Sequence, residues 1–257
     1  MTNVLVCVKR VPDSSGEVTL TPDGLAVDGR YSGYTMSNHE EAAVEVAIQV
    51  ADATGGTVTV LTLGTEDAVE QLRTALAVGA TDGVLIEAEP DAFGPADIAS
   101  AIASVCRARE SAGTAYDLVL LGNDAADTGD FQVGIRLAYA LDRPVVTGMQ
   151  TVAVQGDQAE LRGEGPEGTE VYEVPLPAVV TILEGGVSPR YPSVMGRMKA
   201  KKAPVETVTP DAPSVGSGRV GLSVPPPPAT SVTILGEGPS AASAVVDTLK
   251  QLGVVGR

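Results

Sequence analysis

The feature that most constrains this fold is a regular alternation of short apolar runs with stretches of helical periodicity. Residues 4–8 form an apolar, β-branched run that is typical of a strand buried on both faces of a parallel sheet. Apolar residues then recur at helical spacing over residues 40–53, after acids that favour a helix start. Because this alternation continues to residue 141, the sequence predicts a doubly wound, mainly parallel α/β sheet.

The later elements of this region carry similar local signals. The further predicted strands and helices are residues 57–63, 69–79, 84–86, 96–109, 118–121 and 136–141. Thr65 is predicted to cap the second helix. The turn signature at residues 22–24 predicts a small hairpin or extended excursion over residues 17–30.

Beyond residue 145 the helical period disappears, which predicts an antiparallel β extension. Its expected strands, separated by glycine-containing turns, are residues 149–155, 159–163, 169–174 and 178–183.

The C-terminal region predicts an arm. Residues 211–230 are rich in proline and glycine, so they cannot form a helix. Ser240 is predicted to cap a last helix, whose apolar stripe must pack on its own domain or on a neighbouring subunit. We therefore expect a nucleotide-binding α/β domain over residues 1–210 and a C-terminal arm over residues 211–257.

The composition excludes several classes of function. A formal net charge of -16 leaves no broad basic face for nucleic acid. No apolar run approaches the roughly 20 residues of a membrane helix, and no signal peptide is recognisable. Cys7 and Cys106 lack CxxC spacing, which indicates buried thiols in a reducing compartment. We therefore expect a cytoplasmic protein that neither enters the membrane nor binds nucleic acid.

Residues typical of catalysis or metal binding are scarce. The single histidine, His39, has no serine or cysteine nucleophile beside it in the sequence. One histidine and two separated cysteines cannot form a zinc site without several carboxylates, and no EF-hand spacing is present. The sequence therefore predicts a chain that holds a ligand without catalysing a reaction, and no metal site.

The predicted topology indicates where such a ligand binds. In an open parallel sheet, ligands lie beyond the carboxyl ends of the strands. The segments expected there are residues 7–13, 37–40, 63–65 and 122–134. The last combines glycines with a helix start whose N–H groups suit a phosphate. Since neither GxGxxG nor GxxxxGK[ST] is present, a nucleotide loop and an ordinary βα connection both remain open.

Residues 190–202 reverse the local charge. They contain five of the chain's 17 Lys and Arg and no acid, together with Tyr191, Val194, Met195 and Met198. On an acidic body such a segment predicts contact with a partner or an anionic cofactor, although a solvated charged loop is the alternative.

Several motifs, in order between residue 3 and about residue 207, resemble the β subunit of the electron transfer flavoproteins (ETF). They are residues 8–13 (VKRVPD), 41–45 (EAAVE), 72–80 (LRTALAVGA), 176–181 (LPAVVT), and 189–191 (PRY) followed by 198–202 (MKAKK). The order of the motifs makes the resemblance stronger than any one of them.

The resemblance implies a non-catalytic electron carrier. Such a β subunit forms a heterodimer with an α subunit, and the pair carries one FAD, bound mainly by the α subunit. It accepts electrons from acyl-CoA and related dehydrogenases and passes them to an ETF-quinone oxidoreductase. The implied fold is Rossmann-like, of the adenine nucleotide alpha hydrolase type, with a structural AMP in the β subunit. An electron-bifurcating member with a second FAD in that site, or a stand-alone nucleotide-binding module, is the alternative.

The resemblance also assigns residues to two sites. The AMP is expected to be surrounded, chiefly by backbone groups, by Cys7, Ser37, Asn38, His39, Glu40, Leu63, Gly122, Asn123, Asp124, Ala125, Asp127, Thr128, Gly129, Phe131, Gln132 and Val133. A recognition segment, residues 184–202, is expected to dock on dehydrogenases through Pro189, Arg190, Tyr191, Val194 and Met195. Within it, Val194 is expected to enter a pocket of the partner.

The sequence departs from the family pattern at both sites. Phe131-Gln132-Val133 stands where AMP-binding relatives have Asn-Gln-Thr, so the threonine hydroxyl expected at the phosphate is missing. Gln132 and backbone N–H groups would have to replace it. Ser14 and His39 stand at positions that are aromatic in relatives, and Ser14 replaces an aromatic that some relatives place beside the flavin.

Overall fold

The computed structural model describes residues 1–13, 18–226 and 232–255. Ser14, Glu17 at the start of the predicted excursion, and Pro227 and Pro228 of the predicted arm lie outside these ranges. The chain divides into a main unit, residues 1–222, and a second unit, residues 223–257. Within the described ranges, no helix has the length and apolar character needed to cross a membrane.

The described residues contain strands and helices in the predicted alternation. The strands are β1 (Val4–Cys7), β2 (Val11–Pro12), β3 (Tyr34–Thr35), β4 (Val58–Gly64), β5 (Asp82–Glu87), β6 (Leu118–Gly122), β7 (Val145–Met149), β8 (Thr151–Gln155), β9 (Gln158–Gly165), β10 (Gly168–Pro175), β11 (Ala178–Ile182) and β12 (Val205–Val208). The helices are α1 (Asn38–Thr54), α2 (Val69–Val78), α3 (Pro95–Ser111), α4 (Val133–Leu141), α5 (Val194–Ala200) and α6 (Ala242–Gln251).

The main unit is built on a seven-stranded sheet in the order β12-β5-β4-β1-β6-β11-β7, and all of its neighbours pair in parallel. Helices α1 and α2 cover one face, while α3 and α4 cover the other. This confirms the predicted doubly wound fold. The strand order reverses beside β1, because β4 lies on one side of β1 and β6 on the other.

Burial on both faces explains why the strands lack alternation. Val4 and Val6 pack against α1 and α2, whereas Leu5 and Cys7 pack against α3 and α4. Each position of β1 therefore needs an apolar side chain, as expected for a parallel strand between two helical layers.

The prediction that residues 178–183 form an antiparallel strand of the β extension is wrong. The strand there, β11, lies inside the main sheet and pairs in parallel with both β6 and β7. All five of its residues are buried, because helices or the β extension cover both of its faces. The sequence reading also missed β7 and the edge strand β12.

The antiparallel extension itself is confirmed as a three-stranded sheet in the order β10-β9-β8. Ala159, Leu161 and Val174 turn inward and join the core on the α1 side of the main sheet. The predicted excursion is present as an antiparallel bridge between Leu20 and Val27.

Two predicted caps are wrong. Thr65 precedes a short 3-10 turn and makes no side-chain capping bond. Ser240 lies in the turn before α6, where its Oγ donates to the Glu237 carbonyl at 2.8 Å, and Ala241 occupies the N-cap. In both places a 3-10 turn begins before the α-helix, so the hydroxyl lies too early in the chain to serve it.

The beginning of the predicted arm, residues 211–222, is part of the main unit and is bonded to helix α3. The Asp97 carboxylate at the start of α3 accepts the N–H groups of Ser214 at 2.7 Å and Gly216 at 2.8 Å, among other donors. Burial opposes ionisation, but these backbone donors together hold the pKa of Asp97 well below its usual value.

Candidate functional site

The carboxyl ends of β1 and β6 lie where the strand order reverses, and open α/β sheets bind ligands in a crevice at such a point. This region is called the crevice below. One backbone N–H and two side-chain pairs bring three of the predicted segments together there: residues 7–13, 37–40 and 122–134. Residues 122–134, for which a nucleotide-binding loop is one of the two predicted roles, are called the nucleotide loop below. Leu63, near the end of the adjacent β4, is half-buried against the core on the α3 side.

The start of α1 is tied to the chain that follows β1. Ser37 and Glu40 form a capping box, in which the Ser37 N–H donates to Glu40 Oε2 at 2.7 Å. Glu40 Oε1 accepts the Lys9 N–H, also at 2.7 Å. Burial raises the pKa of Glu40 to about 7, although the hydrogen bonds from Ser37 and Lys9 oppose that rise. Gly122 completes the contact, since a Cβ there would lie 2.9 Å from Glu40 Cγ.

Two side-chain pairs connect the nucleotide loop to the rest of the crevice. Lys9 Nζ lies 2.7 Å from Asp127 Oδ1. His39 Nε2 lies 3.0 Å from Asp124 Oδ1, while its Nδ1 accepts the Glu184 N–H at 3.1 Å. Asn38, the first residue of α1, stands beside this histidine.

The beginning of the nucleotide loop is fixed from the neighbouring strand β11. The Asn123 N–H donates to the Ile182 carbonyl at 2.9 Å, and Asn123 Oδ1 accepts the Thr181 hydroxyl at 2.7 Å. Farther along, Gly129 adopts a left-handed conformation and its N–H donates to the Ala125 carbonyl at 2.7 Å. The loop backbone is therefore shaped by its own turn and by β11.

Two features of the nucleotide loop suit an anionic ligand that accepts hydrogen bonds. Thr128 Oγ1 is buried and has no hydrogen-bond partner. Gln132 occupies the N-cap of α4 without capping it, because its Oε1 accepts two bonds from Arg136, at 3.0 and 2.8 Å. The first N–H groups of α4 are thus not capped by a side chain, and the helix dipole favours negative charge there. Phe131 is exposed, and Val133 begins the helix.

The cysteines do not provide a nucleophile. Cys7 and Cys106 are free and buried, as predicted. Burial raises the pKa of Cys7 well above its usual value and that of Cys106 to about 11. Since the Cys7 side chain faces the core on the α3 side, only its backbone is left for the crevice. The described residues contain no group of three or more His, Cys, Asp or Glu that could hold a metal ion.

The recognition segment presents apolar side chains to solvent. Four of them, named the exposed cluster below, are Tyr191, Val194, Met195 and Met198, with 61% to 96% of their surface exposed. Pro189, just before them, is also exposed. A solvated charged loop is the alternative that the sequence predicts here, whereas most of the cluster lies on helix α5.

Arg190 has an intramolecular partner that the sequence reading missed. Its Nε and Nη2 donate to the Glu45 carboxylate of α1 at 2.8 and 2.9 Å, and its N–H donates at 3.1 Å. Burial opposes ionisation of Glu45, but the bonds from Arg190 and Gln49 together lower its pKa. The guanidinium therefore fixes the segment on α1, and the only sequence signal was an acid on the buried face of a helix.

Helix α5 is also held at both ends. The Ser193 hydroxyl accepts the Gly196 N–H at 3.0 Å, which caps its start. Arg73 of α2 donates to the carbonyls of Ala200 and Ala203 at its end. The helix that carries most of the exposed cluster is therefore held in place by contacts at both of its ends.

Comparison with known proteins identifies the family to which this chain is similar. Residues 25–213 match the family described as "Electron transfer flavoprotein domain". "Electron transfer flavoprotein subunit beta" of Bacillus subtilis (strain 168) is 36% identical over 206 residues, covering 79% of this chain and 77% of the relative.

Two other relatives match almost the whole chain. "Electron transfer flavoprotein subunit beta" of Syntrophomonas wolfei is 34% identical, covering 96% of this chain and 95% of the relative. "Acryloyl-CoA reductase electron transfer subunit gamma" of Anaerotignum propionicum is 31% identical, covering 98% and 99% respectively.

Proposed function

The chain belongs to the electron transfer flavoprotein family, and from this premise we propose that it is the β subunit of a heterodimeric electron carrier. Its partner is an α subunit that holds most of one FAD. The flavin supplies the electron-transfer chemistry when bound, and this chain contributes position, charge and a docking surface. The similarity to named β subunits over most of the chain carries this proposal.

The crevice residues support a structural AMP in this subunit. The orphaned Thr128 hydroxyl and the uncapped start of α4 provide donors for a phosphate without the threonine that Val133 replaces. Lys9 adds a positive charge beside the nucleotide loop, although Asp127 partly neutralises it. Backbone groups of the other crevice residues complete the proposed site.

A second FAD in the same crevice is the alternative. Phe131 and Val133 depart from the AMP pattern, and one relative serves an acryloyl-CoA reductase, which makes an electron-bifurcating role a second candidate. In either case the described residues of the crevice provide no catalytic pair, so the proposed role is that of a carrier.

The exposed cluster is the proposed docking surface for electron donors. A few apolar side chains on a supported helix bury little area, which gives the weak, short-lived contact that a shuttle between several partners requires. We propose acyl-CoA and related dehydrogenases as donors and an ETF-quinone oxidoreductase as acceptor, with the complex in the cytoplasm. Lys199, Lys201 and Lys202 would face the α subunit.

The test is to co-express the chain with the α-subunit gene of the same organism and analyse what copurifies. We expect a yellow heterodimer that releases one FAD and one AMP on denaturation. Two FAD and no AMP would establish the bifurcating alternative. A chain that stays monomeric and colourless in the presence of the α subunit would refute the proposed function.

Replacing Val194 with alanine tests the docking surface. We expect kcat/KM for electron transfer from an acyl-CoA dehydrogenase to fall about five-fold, because roughly 1 kcal/mol of apolar contact is removed from the interface. The FAD content should not change. Val171, an exposed valine on β10, provides a matched control whose change to alanine should leave donor kinetics intact. Equal kinetics for both variants would remove Val194 from the docking surface.

A further inference from the structure

His39 contacts both the recognition segment, which is proposed to dock on electron donors, and the nucleotide loop, which is proposed to bind AMP. Its Nδ1 accepts the N–H of Glu184, the first residue of the recognition segment, at 3.1 Å. Its Nε2 lies 3.0 Å from Asp124 Oδ1 in the nucleotide loop. The side chains of His39 and Asp124 are 22% and 21% exposed, so water screens this pair only in part.

Asp124 determines which ring nitrogen carries the hydrogen. A carboxylate at Nε2 requires a donor there, which leaves Nδ1 with a free lone pair. Only that tautomer accepts the Glu184 N–H. If Asp124 moves away, the ring can rotate or carry its hydrogen on Nδ1, and the bond to Glu184 is then lost. The position of Asp124 therefore controls whether the recognition segment is tied at its first residue.

Helix α1 makes a second contact with the recognition segment, between Glu184 and the exposed cluster. Arg190 is bound to Glu45, also on α1. Between these two contacts, Gly186 packs closely against Gln150, since a Cβ at position 186 would lie 2.4 Å from the Gln150 carbonyl oxygen. Loss of the bond that Glu184 donates to His39 would release the first residue of the segment, while Gly186 and Arg190 still held the residues that follow.

We propose that His39 is a positioning residue that couples nucleotide occupancy to the affinity of the recognition segment for an electron donor. The proposal rests on the proposed function. A nucleotide held by the loop fixes Asp124, Asp124 orients His39, and His39 ties Glu184. Because such coupling is reciprocal, donor docking also strengthens retention of the nucleotide.

Asparagine and glutamine at position 39 separate the two bonds. The amide of His39→Asn reaches the position of Nδ1, so this variant keeps a contact for Glu184 and loses the one to Asp124. The amide of His39→Gln reaches the position of Nε2, so it keeps a contact for Asp124 and loses the one to Glu184. Each variant therefore serves as the matched control of the other.

The experiment measures electron transfer from an acyl-CoA dehydrogenase to the heterodimer, with AMP bound and after its removal. For the wild type, AMP removal should raise the KM for the dehydrogenase about five-fold or more, with kcat unchanged. His39→Gln should start from a raised KM and show no further change on AMP removal. His39→Asn should lose AMP more readily, and its KM should not respond to AMP. Wild-type coupling in both variants, or no coupling in the wild type, would overturn the proposal.

A second measurement requires no substitution. Hydrogen exchange followed by mass spectrometry on the wild-type heterodimer reports the protection of the Glu184 amide. That amide should exchange faster after AMP removal, and unchanged protection would contradict the coupling. The proposed function fails separately: a complex without flavin refutes the function, whereas normal electron transfer that ignores AMP refutes only the role of His39.

Discussion

At the scale of single residues, the carboxyl group of Glu40 lies in an environment that disfavours its ionised form. Glu40 is buried at the start of α1, and burial raises its pKa to about 7. Its carboxylate nevertheless organises the crevice by accepting N–H groups from Ser37 and Lys9. The same residue thus orders the site and makes the stability of the fold sensitive to pH.

The raised pKa of Glu40 predicts how the free energy of unfolding changes with pH. Between the ordinary value of 4.5 and about 7, the folded chain keeps a proton on Glu40 that the unfolded chain has released. The free energy of unfolding must therefore fall as pH rises through this window, by up to about 3 kcal/mol. Urea unfolding of the wild type and Glu40→Gln at about pH 5 and about pH 8 isolates the effect, because other groups titrate in both. A difference between the two proteins that is the same at both pH values would contradict this prediction.

At the scale of elements, helix α5 shows how a short segment becomes a fixed support. It is only seven residues long, so it depends on contacts with α2 and not on its own propensity. Gly196 makes the closest contact, because a Cβ there would lie 2.1 Å from the Ala77 carbonyl oxygen. The helix can approach α2 this closely only with glycine at that position.

Replacing Gly196 with alanine should therefore displace α5 from α2. We expect a loss of about 1–3 kcal/mol in the free energy of unfolding, as for other overpacked sites, and a raised KM for the donor dehydrogenase. Gly221→Ala is the matched control, since a Cβ there would meet nothing within 4 Å. If the two variants unfold alike and dock alike, the close contact does not support α5.

At the scale of the whole molecule, the chain consists of two units with different amounts of buried apolar surface. The main unit has a continuous core on each face of its sheet. The second unit carries α6, on which Val245 and Val246 are exposed, with Leu252 exposed just beyond its end. An apolar helix surface of this kind is expected to pack against another surface in the assembled carrier.

A truncated variant that ends at Leu222 tests whether residues 1–222 fold without the second unit. Because residues 1–222 form a compact unit, we expect its thermal unfolding midpoint to stay within roughly 2 °C of the full-length value. Affinity for the α subunit should fall, which titration of the two purified subunits would measure. Loss of the folded state on truncation would show that residues 223–257 stabilise the main unit, and unchanged affinity would show that they do not contact the partner.

Elements whose signals are local can be predicted from the amino-acid sequence. The unbroken apolar run of β1 reflects burial on both faces, and the apolar stripe of α1 reflects burial on one face of a helix. The turns of the β extension are marked by glycines close to each other in the sequence. The ends of β1 and β6 followed from the topology, so the crevice could be placed before any contact was known.

Features that depend on partners distant in the chain become visible only in the folded domain. Strand β11 looks like its antiparallel neighbours until its position between β6 and β7 is known. The pairs formed by Arg190 with Glu45 and by His39 with Glu184 span 145 residues each, and no local pattern encodes them. Secondary structure is selected by neighbouring residues, whereas the partners of a charged or polar side chain are selected by the packing of the whole domain.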